Sequence, residues 1–202
     1  MNKFLNETVS AHISSNRLCY ILALLSVISG IIIGIFSGIN APRDEDFLQG
    51  FLVSFSEEEL NISALFFKSV LISLRAVLVI WASSFFVWLL PISFVQLGAK
   101  GFGIGFCFSY LILNGGFKGF LFSVSTLLIQ SLILLPAFII YTVLQVNFSG
   151  DFDKVRKTPS LYKERKRLLT KNALSFVFIL VPILFCGLID AYLAPFFVGF
   201  LR

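Results

Sequence analysis

Few side chains in this sequence combine reactivity with a place to use it. The single histidine, His12, precedes the first long apolar run, so no imidazole can act as a general base within the apolar segments. Cys19, Cys107 and Cys186 each lie inside an apolar run and show neither C-x-x-C nor Cys/His spacing, which leaves buried thiols rather than a disulfide framework or a metal centre. There is no H-E-x-x-H sequence, and Asp190 has no second carboxylate in the apolar segments with which to form an aspartyl dyad. Serines abound, but no Lys or His is placed deep enough to activate one. The chain is expected to be no enzyme, with no catalytic residue, no metal ligand and no cofactor site.

The chemistry that remains is charge pairing and close packing in lipid. A charge at the bilayer centre costs at least ~2.5 kcal/mol, so ionisable residues in apolar segments are candidate functional groups. Arg75, Lys118 and Asp190 are such residues, all expected towards the outer face. Asp190 falls about 18 residues, or ~27 Å of helix, beyond the inner end of its span. Arg75 and Lys118 are then two cationic partners at a compatible depth, in a pairing that fixes helix register; snorkelling to the outer interface is the alternative. Gln130 and Asn114 are the other embedded polar side chains, suited to interhelical hydrogen bonds. Gly101/Gly105 and Gly115/Gly119 have G-x-x-x-G spacing, which lets helix backbones approach closely and would serve helix packing or a partner interface. A channel filter lined by the carbonyls of Gly101-Phe-Gly-Ile-Gly105 is the sharper alternative, but no ring of acidic or hydroxyl residues accompanies those glycines. A phosphate loop is excluded by the lack of a strand, Lys and hydroxyl pattern.

The elements that must position these groups follow from composition. Of 202 residues, 57% are apolar and 13% charged, with a mean hydropathy of +0.93, more apolar surface than a soluble domain could hide. A span needs roughly 20 apolar residues. The sequence predicts an all-α membrane protein, a single integral domain of about five transmembrane helices over residues 18–38, 76–97, 101–117, 119–148 and 172–201. The first run exceeds the core of a secretory signal and predicts an uncleaved anchor. The third is short for a crossing, so a re-entrant hairpin is its alternative. Amphipathic interfacial helices are expected over residues 1–17, where Phe4, Leu5, Val9 and Ile13 have helical spacing, and from the Ser56/Glu59 capping box to Leu74. Pro91, Pro136, Pro182 and Pro195 mark kinks.

Positive charge flanking membrane spans is retained in the cytoplasm, and one loop, 149–171, is strongly basic, with Lys163, Arg165, Lys166 and Arg167 at its centre. That loop is placed inside, together with Lys100 and the amino terminus. The acidic loop 39–74 and the carboxy terminus fall outside. The net charge of +5 therefore fits a membrane surface better than a nucleic acid.

The runs Ala99-Lys-Gly-Phe-Gly-Ile-Gly-Phe106, Asn114-Gly-Gly-Phe-Lys-Gly119, Gln130 to Ala137, and Ile189-Asp-Ala-Tyr-Leu-Ala-Pro195 resemble, in order and spacing, those of the stage II sporulation protein M family. The resemblance covers most of the chain. It departs from the family at Ile129, commonly Pro, and at Asp190, commonly Glu. The resemblance implies a bacterial cell-membrane scaffold of sporulation, in the septal and engulfing mother-cell membrane, which recruits two peptidoglycan-degrading partners, stage II sporulation proteins D and P. The alternative is a membrane subunit of a transporter or permease, which predicts a water-filled path reaching Asp190 or Gln130. The lipid bilayer is the other partner, and homo-oligomerisation is left open.

Overall fold

The computed structural model describes residues 14–42, 62–157 and 162–201. Most of the expected amino-terminal amphipathic helix and the Ser56/Glu59 capping box lie outside them. Five helices are long and apolar enough to cross a membrane, making this an all-α, multi-pass membrane protein. They are α1 (Arg17–Ile39), α2 (Ile62–Ser83), α3 (Leu90–Phe122, entered through a 3-10 turn Val87–Leu89), α4 (Ile129–Arg156, entered through a π-helical segment Ser123–Leu128) and α5 (Tyr162–Leu201). The 23 residues of α1 rise ~34 Å, enough to cross ~30 Å of hydrocarbon. Its far end is held by Asn40, whose Nδ2 donates to the Phe36 carbonyl at 2.8 Å. Large apolar side chains such as Leu25, Ile33, Phe67, Val95 and Phe178 face outwards, as a lipid solvent permits. The core is a belt of Ile80, Leu97, Phe138, Tyr141 and Ile183.

The number of spans matches the sequence expectation, but two boundaries do not. Residues 62–74, expected in the external loop and along the interface, form the first half of α2. The expected span 76–97 is cut by a turn at Ser84–Phe86, and the expected span 101–117 is the later part of a helix that begins at Leu90. The physical reason is local. Pro91 sits in the first turn of α3, where a missing N–H costs nothing and the fixed φ favours helix entry. Ser83 and Ser84 close the turn, the former through its Oγ to the Ile80 carbonyl (2.8 Å) and to Ser93 Oγ (2.6 Å), the latter through its Oγ to the Trp81 carbonyl (2.7 Å). Gly98 and Lys100, expected between two spans, are helical. With its start moved back to Leu90, the third span is long enough for a full crossing.

At the other end of α3 the chain reverses. Gly116 has φ 54° and ψ −133°, a backbone conformation that side chains disfavour, within an otherwise helical stretch. Beyond it, Gly119 packs against the Leu111 carbonyl and the Phe108 and Phe120 rings meet edge-on at 6.5 Å. Residues eight apart in a straight helix would be ~12 Å apart, so these contacts define a tight helical hairpin.

The basic segment is a second hairpin rather than a loop. α4 continues to Arg156 and α5 starts at Tyr162, so helix covers most of 149–171. Phe85, Phe148 and Phe152 cluster at its base with centroids 5.3–5.9 Å apart. The Arg165 guanidinium lies over the Phe152 ring at 5.8 Å, and that of Arg156 over Phe86 at 5.7 Å.

Candidate functional site

Two arrangements of functional residues stand out, a glycine seam and a polar cleft. The seam joins α1 to α3. A Cβ added at Gly30 would run into the Gly98 carbonyl, at Gly34 into that of Phe102, at Gly101 into that of Val27, and at Gly105 into that of Ile31. The two backbones are therefore in direct contact over two turns and more, which maximises dispersion where lipid offers no hydrophobic drive. Ser26 Oγ ties the seam to the Phe94 carbonyl. Sequence reasoning singled out Gly101 and Gly105 but not their counterparts, although Gly30, Gly34 and Gly38 repeat the same four-residue spacing. Because α1 covers them, Gly101 and Gly105 serve packing within the chain. Gly119 likewise serves the α3–α4 hairpin, and Gly115 adjoins its turn at Gly116.

The cleft lies between α2 and α3 and is floored by the start of α4 and by Asp190 of α5. Asp190 Oδ2 accepts hydrogen bonds from Ser69 Oγ and from Gln130 Nε2, the latter at 2.7 Å. The cation electrostatically coupled to Asp190 is Lys100. Sequence reasoning placed Lys100 at the cytoplasmic boundary between two spans. With α3 starting earlier, it is 13 residues beyond Val87, or about 20 Å into the bundle. Gln130, expected to bond between helices, does so, joining α4 to α5. Arg75, expected as a partner of Asp190, is exposed on α2, nearly two turns past Ser69 towards the Ser83 end. Lys118 is exposed just past the Gly116 turn. Around Asp190 opens a cavity of about 640 Å³, whose polar lining includes Lys68, Ser73, Gln96 and Thr126 and whose walls are Leu65, Ile72, Ile104 and Leu127.

A third polar group lies nearer the basic hairpin. Gln145 Nε2 donates to Ser175 Oγ at 3.1 Å, and Ser175 Oγ to the Asn172 carbonyl at 2.8 Å. Gln145 Oε1, Thr142 Oγ1, Ser149 Oγ and the Asn172 amide are buried without a hydrogen bond to the protein. On the hairpin itself Lys163, Arg165, Lys166 and Arg167 are exposed in the first turns of α5. Among the described residues no three His, Cys, Asp or Glu side chains come together in a way that could hold a metal ion. The cleft offers a carboxylate, two ammonium groups and several hydroxyl and amide groups, a set suited to binding.

Comparison with characterised proteins gives no match, and comparison with solved structures gives none. A family model described as stage II sporulation protein M matches residues 22–195. That range runs from within α1 to Pro195 in α5, and so takes in the glycine seam, the Gly116 turn, the basic hairpin and every residue around Asp190. On that evidence this multi-pass membrane protein belongs to the stage II sporulation protein M family.

Proposed function

We propose that this protein is a non-catalytic membrane scaffold, recruiting peptidoglycan-degrading proteins to the septum while the mother-cell membrane engulfs the forespore. Family membership across residues 22–195 is the observation that carries this reading. The proposed partners are stage II sporulation proteins D and P, the pair implied by the resemblance. The seam supports the role, because helices joined backbone to backbone present a stiff surface to lateral partners. With Gly101 and Gly105 engaged by α1, the faces offered to partners are the exposed apolar ones, including Phe67, Leu71 and Val95.

In this proposal the basic hairpin and the amino terminus are cytoplasmic, and the α1–α2 connection and the carboxy terminus external. The hairpin's charge supports that orientation, as does Trp88, 93% exposed at the same end of the bundle, where an indole suits the membrane interface. Co-purification of the tagged protein in mild detergent from cells early in sporulation tests the function. Recovery of the two peptidoglycan-degrading proteins supports it; a preparation free of both counts against it.

One observation favours a second reading, that of a transporter or permease subunit. The cavity reaches both Asp190 and Gln130, which a bundle packed only for scaffolding does not require. Recovery of an ATPase in the same experiment would make that reading the leading one.

A further inference from the structure

We infer that the cleft between α2 and α3 is a specific site for one anionic phospholipid, its head held by Lys68 and neighbouring polar groups and its chain lying along the apolar walls. The inference stands on the cavity itself and not on the scaffold reading.

Size comes first. At about 640 Å³ the cavity falls within the range of ligand pockets, ~300–1,000 Å³. The room exists because α3 presents Ala99 and Gly103 there, and a Cβ added at Gly103 meets nothing within 4 Å. This sets Gly103 apart from Gly101 and Gly105 on either side of it, which are pressed against α1.

The lining selects the class of ligand. Leu65, Ile72, Ile104 and Leu127 would be poor company for a small aqueous solute and good company for an acyl chain. Among the described residues, the charged side chains lining the cavity are Lys68, Lys100 and Asp190. Lys100 and Asp190 offset each other, and Asp190 is further occupied by Ser69 and Gln130. One positive charge, that of Lys68, is left in excess. A monoanionic head group balances it, whereas a zwitterionic head brings an ammonium group that Lys68 repels.

Depth agrees. Lys68 precedes Ser83 by 15 residues, placing its Cα about 22 Å along α2 from the basic end, and its long stem lets the ammonium group rise to the head groups of the opposite leaflet. Ser73 and Gln96 line the cleft at a deeper level.

The test is a lipid titration of the full-length protein in mild detergent, followed by native mass spectrometry, with phosphatidylglycerol and phosphatidylethanolamine of identical chains. The expected result is one tightly held phosphatidylglycerol and binding of phosphatidylethanolamine at least about fivefold weaker, the effect of one lysine at a membrane surface. Lys68→Gln should remove that preference, Lys68→Arg should keep it, and Lys163→Gln on the basic hairpin should leave it unchanged. Gly103→Leu, which grows into open space, should displace the lipid while the protein still elutes as a single folded species. Lys68 is exposed, so its variants report even where Gly103→Leu fails to fold. Equal affinity for the two lipids, or a phosphatidylglycerol affinity that Lys68→Gln does not lower, overturns the inference.

Discussion

A single methyl group at Gly105 tests the seam between α1 and α3. In Gly105→Ala the new carbon meets the Ile31 carbonyl oxygen head-on, with the Ile31 carbonyl carbon and Cα both at 3.1 Å. These are backbone atoms of α1, so relief requires the two helices to separate or rotate. Overpacking of this kind costs about 1–3 kcal/mol. Replacing Gly by Ala also gains ~0.8–1 kcal/mol of helix propensity, which would mask part of the loss. Gly103→Ala supplies the correction, since it makes the same change two residues away where the methyl meets nothing within 4 Å. The difference between the two variants therefore isolates the steric term. For a chain of this size, about 1–3 kcal/mol corresponds to a gap of roughly 2–12 °C in melting temperature. Gly101→Ala, which strikes Val27 one turn earlier, should match Gly105→Ala. The double variant should lose less than the sum, because one displacement of α1 relieves both contacts. The assay is thermal unfolding in detergent, followed by the loss of the monodisperse peak in fluorescence-detected size exclusion. Equal midpoints for Gly105→Ala and Gly103→Ala would refute the seam as a determinant of stability.

Three further outcomes are expected. Asp190→Ala leaves Lys100 uncompensated and should lower stability by at least ~2.5 kcal/mol in the same assay; Asp190→Ala with Lys100→Met should recover much of it, and additive losses would show that the two charges do not communicate. Gly116→Ala forces a side chain onto a φ of 54° and should cost ~1–2 kcal/mol, with the α3–α4 hairpin the first part to lose hydrogen-exchange protection; unaltered protection would remove the strain argument. In a cysteine-free background on intact cells, a membrane-impermeant maleimide should label Asn40→Cys and spare Lys163→Cys, and the reverse pattern would invert the proposed orientation.

The apolar runs made the class and the number of helices legible, because length and hydropathy alone decide what can cross a bilayer. They did not fix where one span yields to the next. Lys68 and Arg75 interrupt α2 and weaken its apolar pattern, while Gly98 and Lys100 break the apolar pattern between the two expected spans. Both impressions are local, whereas the outcome depends on tertiary contacts: the glycines are covered by α1, and Lys100 is half-buried and electrostatically coupled to an acid 90 residues later in the chain. Pro91 carried the missing signal, since a proline shortly after two serines marks the start of a helix as readily as a kink at its end. The partners of Asp190 were hidden for the same reason. Depth was counted from predicted span ends, and an error of about ten residues in one boundary moved Lys100 to the inner face. Gln130 could be identified because an amide in an apolar run has few ways to be satisfied other than across helices.

The seam also determines how the bundle deforms. With their backbones in contact at the glycines, α1 and α3 form one stiff leaf, and a push on either is delivered to the other with little cushioning. A second leaf comprises α2 and α5, locked where Gly187 admits Val70 and Phe66, together with α4. Between α2 and α3 the packing is thin, and the cleft occupies the gap. Lateral load on such a body concentrates at its least filled joint, so the bundle should yield by sliding of the two leaves past each other rather than by bending of any helix. Asp190 sits at that joint, with Ser69 and Gln130 on the second leaf and Lys100 on the first. It acts there as a clasp, joined to one leaf by hydrogen bonds and to the other by charge alone, the interaction that tolerates the most displacement before it is lost.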